Sequence, residues 1–219
     1  MRYESLLELP LFQGMSRNDM DEVVSKTKFG FVKFAAGRHV VSEGDPCIHL
    51  YFLMSGILKA TARADDHSYS LDEELCAPDV LQPERIFGLS QRFTHTFTAA
   101  TPCSFMRIDK KEVLRLSQTY EIFRFNLLNM VCTQSQKLMR QPWRPQPATI
   151  RLKVLRFAET HSLRPSGSKT LHIKMETLAR LIGESRLNLS HELNAMNTEG
   201  LITLTRSNIH IPALEKLRE

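Results

Sequence analysis

Three prolines fall within six residues in the run Gln141-Pro142-Trp143-Arg144-Pro145-Gln146-Pro147. Proline has no backbone N–H and its ring collides with the preceding turn, so neither a helix nor a central strand can run through this stretch. It is a hinge, and it divides the chain in two. The division is also electrostatic. Residues 1–140 hold 17 Lys+Arg against 17 Asp+Glu, whereas 141–219 hold 12 against 7, so the formal charge of +5 lies entirely behind the hinge. A neutral larger part joined to a basic smaller part points to a polyanionic partner for the smaller one; a solvated basic surface is the plainer alternative.

Composition excludes several classes. With 42% hydrophobic and 24% charged residues the chain is globular. The longest apolar run, Leu50 to Met54, is too short to span a bilayer. Glu4 and Glu8 interrupt what would be the apolar core of an export signal, so a cytoplasmic protein is expected. Cys47, Cys76, Cys103 and Cys132 stand far apart, which excludes a zinc ribbon or CxxC motif and suggests reduced, small buried side chains. His39, His49, His67 and His95 lack the His-x-His spacing of a metal site. No metal, cofactor or enzymatic activity is expected.

Ahead of the hinge, Asn18–Lys26 is a short amphipathic helix. The runs Phe29–Phe34, Val40–Ser42, Ile48–Met54, Ile57–Ala62, Ser68–Leu71 and Thr96–Ala100 are β-prone, and Gly37, Gly44-Asp45, Ser55-Gly56 and Asp65-Asp66 separate them. Many short strands with turn signals between them indicate a sandwich or barrel. Residues 110–140 contain neither Pro nor Gly and read as one long helix with two apolar stripes. Phe123, Leu127 and Met130 form one stripe; Leu128, Val131 and Leu138 form the other. Two buried faces need two partners, such as the helix's own domain and a second subunit, so Phe123, Leu127, Leu128, Val131 and Leu138 are the candidate dimer contacts; an ordinary helix buried deep in one domain is the alternative.

Behind the hinge, a helix (Ala148–His161), a turn (Arg164–Ser168) and a strand (Thr170–Ile173) precede two closely spaced helices and a hairpin of Leu201–Leu204 with Asn208–Ile211. In residues 175–194, Ala179 is small where two helices cross, and Gly183 suits a turn with a left-handed backbone. Ser185 stands where an N-cap should open the second helix, and Leu178, Ile182, Leu189 and Leu193 supply the shared core. Glu192 is expected to point outward. This order is that of a winged helix-turn-helix.

The stretch Ile173–Ile202, with Gly183-Glu184-Ser185-Arg186 and Glu199-Gly200-Leu201-Ile202, resembles the DNA-binding end of the cyclic-AMP receptor/fumarate–nitrate regulator (Crp/Fnr) family. Phe34-Ala35-Ala36-Gly37, Glu43-Gly44-Asp45 and Tyr51-Phe52-Leu53-Met54-Ser55-Gly56 resemble that family's cyclic-nucleotide-binding-like β-roll. The resemblance implies an α+β protein with a jelly-roll sensor (1–109), a dimerisation helix (110–140), the Pro-rich hinge (141–147) and a winged-helix DNA-binding domain (148–219). It also implies a homodimer on palindromic double-stranded DNA, with RNA polymerase as a further partner. Carried over residue by residue, Ser185 contacts phosphate and Arg186 donates two parallel hydrogen bonds to a guanine. Leu187 and His191 replace the Glu and Arg of the family's most familiar pattern, so its best-known half-site does not transfer. Leu187, Asn188 and His191 remain candidate DNA contacts, and Lys174 and Arg206 are candidate phosphate contacts.

The family's cyclic-nucleotide binders carry a Gly-Glu-Leu followed about ten residues later by an Arg. With Asp79 and Thr101 aligned, those positions fall on Gln82-Pro83-Glu84 and on Phe93, followed by Thr94. Both charged ligands are missing, and Pro83 removes a backbone donor. Arg92 is one residue out of step, which on a strand faces the other side. Pro83, Arg92, Phe93 and Thr94 thus mark an effector pocket not suited to cyclic AMP. The alternative reading is a small-molecule-binding or enzymatic β-roll whose winged helix mediates protein contacts.

Overall fold

The computed structural model describes residues 4–140 and 143–218. Gln141 and Pro142 of the expected hinge lie outside the described residues. The chain forms two compact units, Met1–Leu58 with Leu75–Met139, and Lys59–Glu74 with Arg140–Glu219. Residues 59–74 precede the roll's last strands in sequence, yet they cluster with the C-terminal unit.

In the first unit, α1 (Glu4–Leu7) and α2 (Arg17–Lys26) come before the strands. Ser16 caps α2 by accepting from the Asp19 N–H at 3.1 Å. The strands ahead of Lys110 are β1 (Gly30–Phe34), β2 (His39–Val41), β3 (His49–Ser55), β4 (Ile57–Arg63), β5 (Tyr69–Cys76), β6 (Asp79–Val80), β7 (Thr96–Ala99) and β8 (Cys103–Asp109), with most of β4 and β5 belonging to the second unit. One sheet has the order β1-β8-β3-β6 and is antiparallel throughout. Its central strand, β8, is absent from the β-prone runs of the sequence. Cys, Ser and Met are unremarkable strand formers, and pairing on both sides with β1 and β3 overrides that weak preference. β2 pairs antiparallel with β7. Gly56 joins β3 to β4 at φ +97°, and a Cβ there would lie 2.5 Å from the Pro102 carbonyl oxygen, so no other residue fits. Phe12 ties this unit together, its ring 5.5 Å from Phe52 and 5.2 Å from Phe123.

The single helix expected over 110–140 is in fact two, α3 (Lys110–Thr119) and α4 (Glu121–Arg140), broken at Tyr120 with φ −114° and ψ 112°. The Ser117 and Thr119 hydroxyls donate back to the Val113 and Arg115 carbonyls, a local competition that bends helices. Arg124 donates to the Ser117 carbonyl across the break, and Tyr120 itself is buried.

The second unit contains α5 (Ile150–His161), β9 (Lys169–Ile173), α6 (Met175–Ile182), α7 (Arg186–Thr198), β10 (Thr203–Thr205), β11 (Asn208–Ile211) and a closing 3-10 turn, Leu214–Arg218. Strand β9 lies between β11 and β5, all antiparallel, so the hairpin of 59–74 completes the sheet of the winged helix. Register pairs Leu71 with Leu171 and Glu73 with Lys169. Leu71 is buried in one apolar cluster with Val154, Leu171, Leu178, Leu189 and Leu193. Tyr69 packs on Phe157 at 5.3 Å between ring centres and shares a 2.9 Å hydrogen bond with His161. Among the described residues no helix is long and apolar enough to cross a membrane.

Candidate nucleic-acid interface

The turn between α6 and α7 is built by three local features. Gly183 ends α6 at φ +68°, a left-handed conformation that costs other residues steric strain. Ala179, almost fully buried, lets the helices approach. Ser185 has extended backbone and accepts from the Asn188 N–H at 3.1 Å, which starts α7. Accepting leaves the Ser185 O–H able to donate outward. Leu189, Leu193 and Met196 bury one face of α7. Arg186, Leu187, Asn188 and His191 are exposed, Leu187 at 66%.

Lys174 stands at the N-cap of α6 without capping it and is exposed. Arg206 lies in the turn between β10 and β11, where Ser207 takes φ +62° and its carbonyl accepts from the Ile173 N–H at 2.8 Å. The wing is therefore fastened to β9.

Two basic side chains of α5 are paired with acids on and beside α7. The Arg151 guanidinium donates to Glu192 at 3.2 Å and to both carboxylate oxygens of Glu199 at 2.9 and 2.8 Å. Lys153 donates to Glu184 at 2.5 Å. Glu192 is kept out of the core as expected, but its carboxylate turns to Arg151 rather than to water alone.

In the roll, the cassette positions are filled by the chain itself. Gln82, 4% exposed, has a left-handed backbone at φ +38° and ψ 58°. Its Oε1 accepts from the Thr94 N–H at 3.0 Å, and its Nε2 donates to Thr94 Oγ1 at 2.6 Å and lies 3.3 Å from His95 Nδ1. Pro83 is buried at the start of a 3-10 turn. Phe93 is buried, with Tyr51 and Phe97 about it. Arg92 is exposed and donates to the Gly44 carbonyl at 2.7 Å. The sequence placed Gln82 at the cassette and left His95 without a role; their joining with Thr94 in one amide network is visible only once the strands are placed.

Of the five candidate dimer contacts, Phe123 and Leu127 need correcting: both are buried in the first unit's own core, Phe123 against Phe12. Leu128 and Leu138 are 49% and 56% exposed, and Val131 is half-buried. The expectation of buried thiols holds for Cys47 and Cys103, whereas Cys76 and Cys132 are exposed. Burial, with the Glu84 charge adding, pushes the Cys47 thiol up to about 11. Among the described residues no group of three or more His, Cys, Asp and Glu is gathered to hold a metal.

Residues 31–120 match the cyclic nucleotide-binding domain, and residues 152–219 match the Crp-like helix-turn-helix domain. Catabolite activator protein from Thermus thermophilus is similar over 96% of this chain and 97% of its own, at 19% identity and a TM-score of 0.54. A transcriptional regulator from Thermotoga maritima is similar over 57% of this chain and 95% of its own, at 19% identity and a TM-score of 0.50. No curated protein matches the chain. At these identities the structural likeness is one of fold. The two domain matches, in the order roll then reader, show that the chain belongs to the Crp/Fnr family of DNA-binding transcription regulators.

Proposed function

We propose that the protein binds a palindromic DNA site as a homodimer, inserting α7 of each subunit into successive major grooves, and that its roll does not take cyclic AMP. The observation that carries this reading is the exposed first turn of α7. Ser185, Arg186, Leu187, Asn188 and His191 are all open there while the opposite face is buried. Lys174 and Arg206 flank it as phosphate contacts, and RNA polymerase is the protein partner. Leu128, Val131 and Leu138 on α4 form the subunit seam. The roll reading is supported by the Gln82 amide, whose bonds to Thr94 occupy the place where a nucleotide phosphate would need free donors.

Selection from random duplexes at a stated salt concentration tests the DNA reading. Arg186→Ala should cost about 1–3 kcal/mol and relax one base pair of each half-site. Lys174→Ala should weaken all sequences alike and lower the salt slope by about one. Leu187→Glu should shift preference toward cytosine at the neighbouring position. An Arg186→Ala motif identical to wild type, beside an altered Lys174→Ala motif, would overturn the placement of the reader.

A further inference from the structure

The basic charge behind the hinge is not all turned toward a polyanion. Arg151 and Lys153, near the start of α5, are 25% and 18% exposed and are committed to carboxylates of their own unit. The two acids that Arg151 holds are seven residues apart, Glu192 on α7 and Glu199 at its C-cap. Seven residues are two turns within about 20°, so both carboxylates lie on one flank of that helix. Glu184, which Lys153 holds, stands in the turn just ahead of α7.

We propose that Arg151 is the positioning residue of the recognition helix, setting its rotation about its own axis. The inference rests on the reading of α7 as the DNA-contacting element. The buried face of α7 is made of Leu189, Leu193 and Met196. Apolar contacts hold a helix down but are non-directional. A guanidinium whose Nη2 donates to both oxygens of Glu199 while its Nε donates to Glu192 is directional.

Side-chain tips lie about 5–6 Å from a helix axis, so a rotation of about 20° moves them by about 2 Å. Hydrogen bonds to a base edge tolerate only about 0.5 Å. The apolar face and the Gly183–Ser185 turn hold the helix, and the Arg151 contacts, with Lys153 on the preceding turn, fix the remaining rotation that Arg186, Asn188 and His191 share. Arg151 directs its Nε at Glu192 and its Nη2 at Glu199, and through these contacts it acts on α7.

The test compares full-length wild type with Arg151→Met, Arg151→Lys and Glu199→Gln. Binding to the selected site and to non-specific DNA is measured across a salt series, with a melting curve for each variant. Arg151→Met should bind the selected site about tenfold more weakly, a loss of the size expected for charged hydrogen bonds. Its non-specific affinity and salt slope should be unchanged. Arg151→Lys should fall between the two. Glu199→Gln, which removes an acid and no cation, should also lose specific affinity. A salt slope lowered by about one in Arg151→Met would make Arg151 a phosphate contact and overturn the proposal. So would unchanged specific affinity, or equal loss of specific and non-specific binding together with a lower melting temperature. A wild type that selects no motif overturns the reading of α7 itself, and is distinct from a wild type that selects one which Arg151→Met selects equally well.

Discussion

Lys169 Nζ lies 3.1 Å from a carboxylate oxygen of Glu73, and neither side chain has any solvent exposure. Each charge is satisfied further: Lys169 donates to the Ser166 carbonyl at 2.8 Å, and Glu73 accepts from the Leu163 and Arg164 N–H groups at 2.5 and 3.1 Å. The pair joins β5 to β9 at the register point where these two residues face each other. A buried pair of this kind is weak evidence of net stabilisation, because desolvation opposes the attraction. Breaking it is another matter.

Glu73→Ala should cost about 3–5 kcal/mol, since it strands a buried ammonium and two backbone donors. Lys169→Met should cost less, because Glu73 keeps both N–H partners. Urea unfolding of the full chain measures the order. Equal losses would mean that the Leu163 and Arg164 contacts contribute nothing.

Next along β5, Asp72 predicts a pH dependence. Burial alone would raise its carboxyl. The hydrogen bonds from Thr61 at 2.6 Å and His172 at 3.0 Å, with the Lys59 charge, together outweigh burial and hold it below the ordinary range. A carboxyl depressed in the folded state contributes stability above its unfolded value of about 3.9 and loses it as pH falls through the folded value. Stability from this group should be level from about pH 7 to pH 5 and decline below about pH 4. Asp72→Asn should be less stable at neutral pH and decline less steeply in acid. Parallel acid limbs for the two proteins would place the effect on other carboxyls.

The exposed stripe of α4 predicts assembly. Leu128→Glu or Val131→Glu should give a monomer by sedimentation with weakened binding to a palindromic duplex, because a charge would be buried in an apolar seam. Phe123→Ala should instead lower the melting temperature by opening a cavity beside Phe12. A wild-type monomer that binds the palindrome tightly would remove α4 from the subunit interface.

Calorimetry with cyclic AMP and cyclic GMP should show no saturable binding at micromolar concentration. The Gln82 amide already pairs with Thr94, and Arg92 bonds Gly44 at the surface. Tight binding that disappears in Arg92→Ala would show that this arginine turns inward when ligand is present.

What the residues determine by themselves is local. Gly183 at φ +68°, the Ser185 cap and the apolar spacing of Leu178, Leu189 and Leu193 are steric and hydrogen-bonding demands met within a few neighbours, and they identify the reader before any fold is known. The helix break at Tyr120 is of the other kind. No Pro or Gly announces it, and it follows from back-bonding hydroxyls together with the burial of an aromatic side chain in a core assembled from distant segments. Strand β8, and the attachment of the 59–74 hairpin to β9, were likewise settled by long-range pairing, whose partners outweigh propensities spanning about 1 kcal/mol. Arg151 makes the same point for charge. A sequence shows that a side chain is cationic, but only the folded chain decides which anion lies within 3 Å, and here that anion is Glu199.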